Sequence, residues 1–199
     1  SYKVDIAKQM ILMARDLGAP VLLACSSTSL HATADADAIA RDLRKLAMLA
    51  LPLRIKIAYE GLSWGRHLNE YTHAWDVVQR ADCPNLGIGI DSFHVFATNT
   101  PLDELEDVDA SKIYLVQLSD FMWNETRTPE ERMATARTFR VFPGEGVHSE
   151  SLVELVRMLD RIGLLAPRIA QAGGKIDGVA NDQALRDLRV GADLASLQR

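Results

Sequence analysis

GIGIDSFH (87–94) runs a short apolar stretch straight into an aspartate, a serine, an aromatic ring and a histidine. A continuous apolar run of this length is the pattern of a strand buried on both faces, as in a parallel sheet. Ending such a strand on charge is costly unless a partner offsets the desolvation of the carboxylate. The same kind of ending recurs along the chain. VLLAC (21–25) passes into two serines, RIKIAYE (54–60) ends on Glu60, and KIYLVQL (112–118) carries Gln117 into Ser119 and Asp120.

Helical patterns separate these runs. Val4, Ala7, Met10, Ile11, Ala14 and Leu17 recur at the helical period and stop at Gly18. A second helix is expected from Thr33, as its N-cap, to Ala50, where LPL breaks it. Tyr71, Ala74, Trp75, Val78 and Ala81 give one face of a third helix that ends near Cys83-Pro84, with Trp75 read as core. A short helix is expected around 101–107, and the polar segment 124–137 reads either as a lid-like insertion or as a helix. Ser149 to Ile162 is the clearest helix, stopped by Gly163, with an N-cap at Ser149 or a capping box of Ser151 and Glu154.

Strand and helix therefore alternate, with strands starting near 21, 54, 86 and 112. Such βα repeats build a parallel sheet, either doubly wound or closed into an eightfold barrel. No GxGxxG follows the first strand and no P-loop occurs, which favours the α/β (β/α)8 TIM-barrel type. A full barrel takes about 250 residues. The 199 residues here show four good strands and a doubtful fifth. The expectation is one incomplete barrel domain over 1–199, its C-terminal five-eighths, with the first strands missing and the last degenerate. The chain is then a fragment, or it has rearranged, or partner subunits, such as a homo-oligomer, cover the open edge.

Composition narrows the function. A net charge of −5 with interspersed signs provides no basic stripe for nucleic acid. No apolar stretch of about 18 residues or signal peptide occurs, so no membrane partner is expected. Two cysteines, Cys25 and Cys83, in no CxxC pattern read as reduced structural thiols of a cytoplasmic protein.

Function is read from the strand ends, where barrels place their chemistry. Glu60, Asp91 and Gln117 stand at the ends of successive apolar strands. Two carboxylates and an amide oxygen brought together repel or stay unsatisfied unless a cation lies between them. Oxygen donors of this kind suit Mg²⁺ or Mn²⁺, with Co²⁺ or Zn²⁺ tolerated. The alternative from the residues alone is that Glu60 and Asp91 cap helices or pair with Arg66.

IAYEGLSWGRHLNEY, GIGIDSFH, IYLVQLSD and RVFPGEG together resemble the bacterial 3-dehydroshikimate dehydratases, within the sugar-phosphate isomerase/epimerase group of xylose isomerase-like barrels. The resemblance spans about residues 5–165. It implies a metal centre of Glu60, Asp91 and Gln117, and a functional histidine at His94. It also matches Arg140, before the FPGEG turn, and the pair Arg66 and His67 to family positions. The family's fourth ligand is a glutamate on the last strand. The matching stretch here, PRIAQAGGKIDGVAND (167–182), offers Gln171 as the nearest oxygen donor and Asp177 as the nearest carboxylate.

The implied reaction dehydrates 3-dehydroshikimate to protocatechuate. A proton leaves beside a ketone, negative charge develops on oxygen, and a divalent cation offsets that charge. His94 or His67 is the expected proton-transfer group, with orienting Asp91 the alternative for His94 and a surface or substrate-orienting role for His67. Arg140 and Arg66 are the expected carboxylate binders. Ser26, Ser27 and Ser29 are substrate contacts or local turn residues; Trp64 and Trp123 are candidate pocket walls. Two other readings stand beside this one. The first is a sugar or sugar-phosphate isomerase or epimerase on the same scaffold, against which Gln117 counts because many such relatives carry His there. The second is a non-catalytic barrel remnant that binds or oligomerises.

Overall fold

A computed structural model of the chain describes residues 2–165. Four parallel strands carry it: β1 (Val21–Cys25), β2 (Lys56–Glu60), β3 (Leu86–Asp91) and β4 (Ile113–Gln117). Their order across the sheet is β1-β2-β3-β4, the order of the chain. A doubly wound sheet reverses direction at a switch point, whereas a barrel adds each strand beside the last. The unbroken order is that of a barrel. The segment 167–182, where the degenerate last strand was expected, lies outside the described residues.

Helices α1 (Tyr2–Asp16), α2 (Ala36–Ala50), α3 (Tyr71–Ala81), α4 (Ser92–Thr98), α5 (Pro129–Thr138) and α6 (Ser149–Arg161) occupy the connections. β2 and β3 are buried almost throughout, as their apolar runs require, while β1 and β4 are partly exposed. Ile57, Leu86, Ile88 and Ile113 have no exposed surface. Each such side chain contributes about 1.5–3 kcal/mol on burial.

The helix ends differ from expectation in instructive ways. α2 begins two residues beyond Thr33's reach, because Asp35 is the N-cap and accepts from the amides of Asp37 and Ala38. The Thr33 hydroxyl instead accepts from Asp35 N, closing the turn before it. The 101–107 segment is a 3-10 turn, and a helix that the apolar pattern did not announce, α4, follows directly on β3. The polar segment does form a helix, α5, opened by a reciprocal capping box between Thr128 and Glu131. α6 starts at Ser149 without a side-chain cap, because the ring of His148, at the N-cap position, turns to Asp120. Trp75 is half-buried rather than core, its Nε1 donating to the Asp107 carbonyl.

Register decides what the strands present. Cys25 pairs with Glu60 across β1 and β2, and Asp91 pairs with Gln117 across β3 and β4. Tyr59 pairs with Ile88, so Glu60 aligns next to Gly89, two residues before Asp91. Paired residues share a face, and residues two apart on a strand share it again. Cys25, Glu60, Asp91 and Gln117 therefore form one transverse row on one face of the sheet. The last step depends on an irregularity: Ile88 pairs with Ile113 but Gly89 with Leu115, so Tyr114 is an extra residue in β4. Without that bulge Val116 would oppose Asp91, and Gln117 would face the other way.

Candidate metal centre at the strand ends

Glu60 and Asp91 are each 4% exposed at the ends of β2 and β3, and His94 is 5% exposed one turn into α4. One ligating atom from each of the three lies within 4.8 Å of the other two. His94 Nε2 is 3.9 Å from Glu60 Oε2 and 3.8 Å from Asp91 Oδ2, too far for direct hydrogen bonds. Glu60 Oε2 accepts from the Cys25 thiol at 3.6 Å. Its Oε1 is buried with no hydrogen-bond partner among the described residues. A buried carboxylate oxygen left in that state costs free energy that a bound cation would recover. The donor set fits a divalent ion: carboxylates from two neighbouring strands, with an amide from a third in the same row.

Both titratable neighbours register the crowding. Desolvation first, then the Asp91 carboxylate, pushes Glu60 up to about 7. Desolvation lowers His94 to about 4, with Arg140 adding to it and Asp91 opposing. The histidine is therefore neutral near pH 7, and its tautomer follows from its contacts. Nδ1 accepts the Ser63 backbone N–H at 3.1 Å and has the Ser63 hydroxyl at 3.0 Å. The proton must sit on Nε2, the nitrogen facing Glu60 and Asp91. An Nε2–H group donates and cannot ligate, so His94 works on the carboxylates' side of the site as a donor. Trp64 and Phe93 hold the ring edge-on, with centroids 5.0 and 5.3 Å away.

Asp91 has the fullest set of partners. Its Oδ1 accepts from Phe93 N and caps α4, and its Oδ2 takes Arg140 Nη1 at 2.6 Å. The expected alternatives of capping and arginine pairing are both present at Asp91, with Arg140 in place of Arg66. Arg140 also donates to the Ala136 carbonyl and Ser119 Oγ, and lies over the Phe93 ring. It arrives there because Val141 bridges back to Asp120, tying the turn after α5 to the end of β4. Asp120 is wholly buried and accepts from the amides of Phe121, Gly146 and His148 and from the His148 ring. Gly146 is obligatory, since a Cβ there would run into Asp120 and the Phe121 carbonyl. Glu145 stays exposed and accepts from Phe142 N within its own turn.

The remaining expected residues sit at the same end of the sheet but outside this cluster. Gln117 is exposed, its backbone paired with Asp91. His67 is exposed and bonded through Nε2 to the Ala32 carbonyl, and Arg66 is exposed beside it. Ser27 and Ser29 accept from nearby amides, whereas Ser26 is buried and bonds Leu62 N in the loop after β2. Trp64 contacts His94, while Trp123 packs on Phe139 farther out. Gln171 and Asp177 lie outside the described residues. Sequence reasoning missed Asp120 and His148, whose pairing holds the turn before α6, and Arg132, which donates to the Ser63 carbonyl and so braces the loop that sets the His94 tautomer. It also missed that Cys25 stands in the same transverse row, although its place at a strand end was visible.

The comparisons with known proteins agree with this architecture. The 3-dehydroshikimate dehydratases of Pseudomonas aeruginosa and Pseudomonas putida are 34% and 32% identical over 167 residues, 84% of this chain and 24% of each relative. The chain thus spans about a quarter of the length of those curated relatives. A solved structure titled a xylose isomerase-like TIM barrel/4-hydroxyphenylpyruvate dioxygenase fusion protein superposes with a TM-score of 0.74 at 31% identity, covering 80% of this chain and 25% of that one. The sequence profile of one family covers residues 2–175, taking in all four strands and the row of donors at their ends. With strand order, site position and profile in agreement, the chain belongs to the xylose isomerase-like TIM barrel family.

Proposed function

We propose that this chain carries the metal centre and part of the substrate site of a lyase that dehydrates 3-dehydroshikimate to protocatechuate. The buried, unpartnered Oε1 of Glu60, a carboxylate grouped with Asp91 and His94, carries the metal reading. The likeness to proteins named 3-dehydroshikimate dehydratases supports the substrate.

Glu60, Asp91 and Gln117 would hold a divalent ion: Mg²⁺, Mn²⁺, Co²⁺ or Zn²⁺. Such an ion supplies Lewis acidity towards a substrate oxygen. His94 presents Nε2–H to the same region, so its part is to donate to an oxygen as negative charge grows there. The proton-accepting part falls to His67, whose Nε2 is committed to the Ala32 carbonyl and whose Nδ1 can take a proton. Arg140 and Arg66 are cations for the substrate carboxylate. Arg140 is already fixed through Nε and Nη1 by Ala136, Asp91 and Ser119, so its Nη2 is the nitrogen that would donate to the substrate carboxylate.

The test is ultraviolet detection of protocatechuate from 3-dehydroshikimate with Mn²⁺ or Mg²⁺, run beside a metal-binding titration. Product from the parent and none from Glu60→Gln is the expected result. Stoichiometric metal binding without product removes the dehydratase assignment, and turnover of a ketose would move the chain to the isomerases. Absence of both metal and product would leave a non-catalytic barrel.

A further inference from the structure

Cys25 ends β1 opposite Glu60, with its residue open to solvent and its Sγ turned to Glu60 Oε2 at 3.6 Å. A thiol and a carboxylate oxygen that share a tetrahedral ion lie roughly 3.5 Å apart, given metal–sulfur and metal–oxygen distances near 2.3 and 2.0 Å. The other Glu60 oxygen is buried with no hydrogen-bond partner, and the Glu60 carboxylate groups with Asp91 and His94. Cys83 shows the contrast: it is buried at the start of the β3 run, with its thiol satisfied by Asn85 Oδ1 at 3.4 Å.

Resting on the metal-centre reading above, we propose that Cys25 is a thiolate ligand of the same ion, shared with Glu60 and Asp91. The site then prefers a thiophilic divalent ion, Zn²⁺ or Co²⁺, over Mg²⁺. On binding, the S–H bond breaks, the proton passes to solvent and a sulfur–metal bond forms, with no change of oxidation state. Charge closes as well. Two carboxylates and one thiolate carry −3, the ion +2, and Arg140, bonded to Asp91, +1. With oxygen donors only, the same site would have no reason to favour soft ions.

Cobalt substitution of the full chain tests this without reference to turnover. Co²⁺ should bind and produce a near-ultraviolet sulfur-to-cobalt charge-transfer band. The band should vanish in Cys25→Ser while visible ligand-field absorption remains, and should persist in Cys83→Ala. Zn²⁺ affinity should fall by about tenfold or more in Cys25→Ser, with Mn²⁺ affinity changed by less than about twofold, because manganese gains little from sulfur. Cys25 lies on a partly exposed strand, so circular dichroism and melting of Cys25→Ser should match the parent. Co²⁺ bound without the sulfur band, or a band that survives Cys25→Ser, overturns the thiolate ligand and leaves the metal centre standing. No Co²⁺ binding to the parent overturns both.

Discussion

Glu60 and His94 face each other across less than a hydrogen-bond network, and their titrations pull stability in opposite directions. Glu60 is raised from 4.5 to about 7, so its contribution is complete below pH 4.5 and is lost as pH rises through 7. His94 is lowered from 6.5 to about 4, so its contribution is complete above pH 6.5 and is lost as pH falls through 4. In the metal-free protein the two nearly offset between pH 4.5 and 6.5. Glu60→Gln removes one side of the balance. Melted in chelator, that variant should exceed the parent at pH 8 by on the order of 2–3 kcal/mol. The advantage should shrink towards pH 4.5, and a constant difference across the range would contradict the assigned burial of charge. Asp91→Asn should behave otherwise. The amide oxygen can still accept from Phe93 N and cap α4, while the ion pair to Arg140 is lost. Titration calorimetry should show metal affinity down by more than about tenfold, with the helical signal unchanged.

Single elements place these residues, and β4 does so by an irregularity. Because Tyr114 is inserted in the ladder, Gln117 and not Val116 opposes Asp91. Gln117→Ala should weaken metal binding, and moving the amide by one residue in a Val116→Gln, Gln117→Val double variant should not restore it. Restoration would mean that the register is looser than the ladder indicates. The turn after α5 depends instead on one buried carboxylate. Asp120→Ala strands three amides and the His148 ring, and should cost about 2–4 kcal/mol. Legibility differs between these cases for physical reasons. Glu60, Asp91 and His94 could be read because buried strands that end on polar groups are locally anomalous. α4 escaped notice because its buried face continues the apolar run of β3 with no break between them. The bulge and the Asp120–His148 pair are long-range agreements between segments, and neither leaves a mark in local composition.

Across the whole molecule the sheet is unfinished on both sides: among the described residues β1 pairs only with β2, and β4 only with β3. α1 adds an apolar surface beside β1, with Val4, Ile6, Met13 and Leu17 exposed and only Ile11 and Ala14 buried. An open strand beside exposed apolar side chains favours association. The chain should elute with a concentration-dependent mass by light scattering, and Met13→Lys with Leu17→Lys should shift it towards the monomer. A concentration-independent monomeric mass for the parent would show that α1 tolerates water. No helix among the described residues is long and apolar enough to cross a membrane, so this surface is not a spanning segment. The transverse row described above has a further consequence for how such a barrel diversifies. Each donor belongs to its own strand and rests on its own loop, so one codon can exchange oxygen for nitrogen or sulfur while the other three positions keep their geometry. Under the metal-centre proposal, metal preference and reaction type could thus drift independently of the scaffold, one strand end at a time.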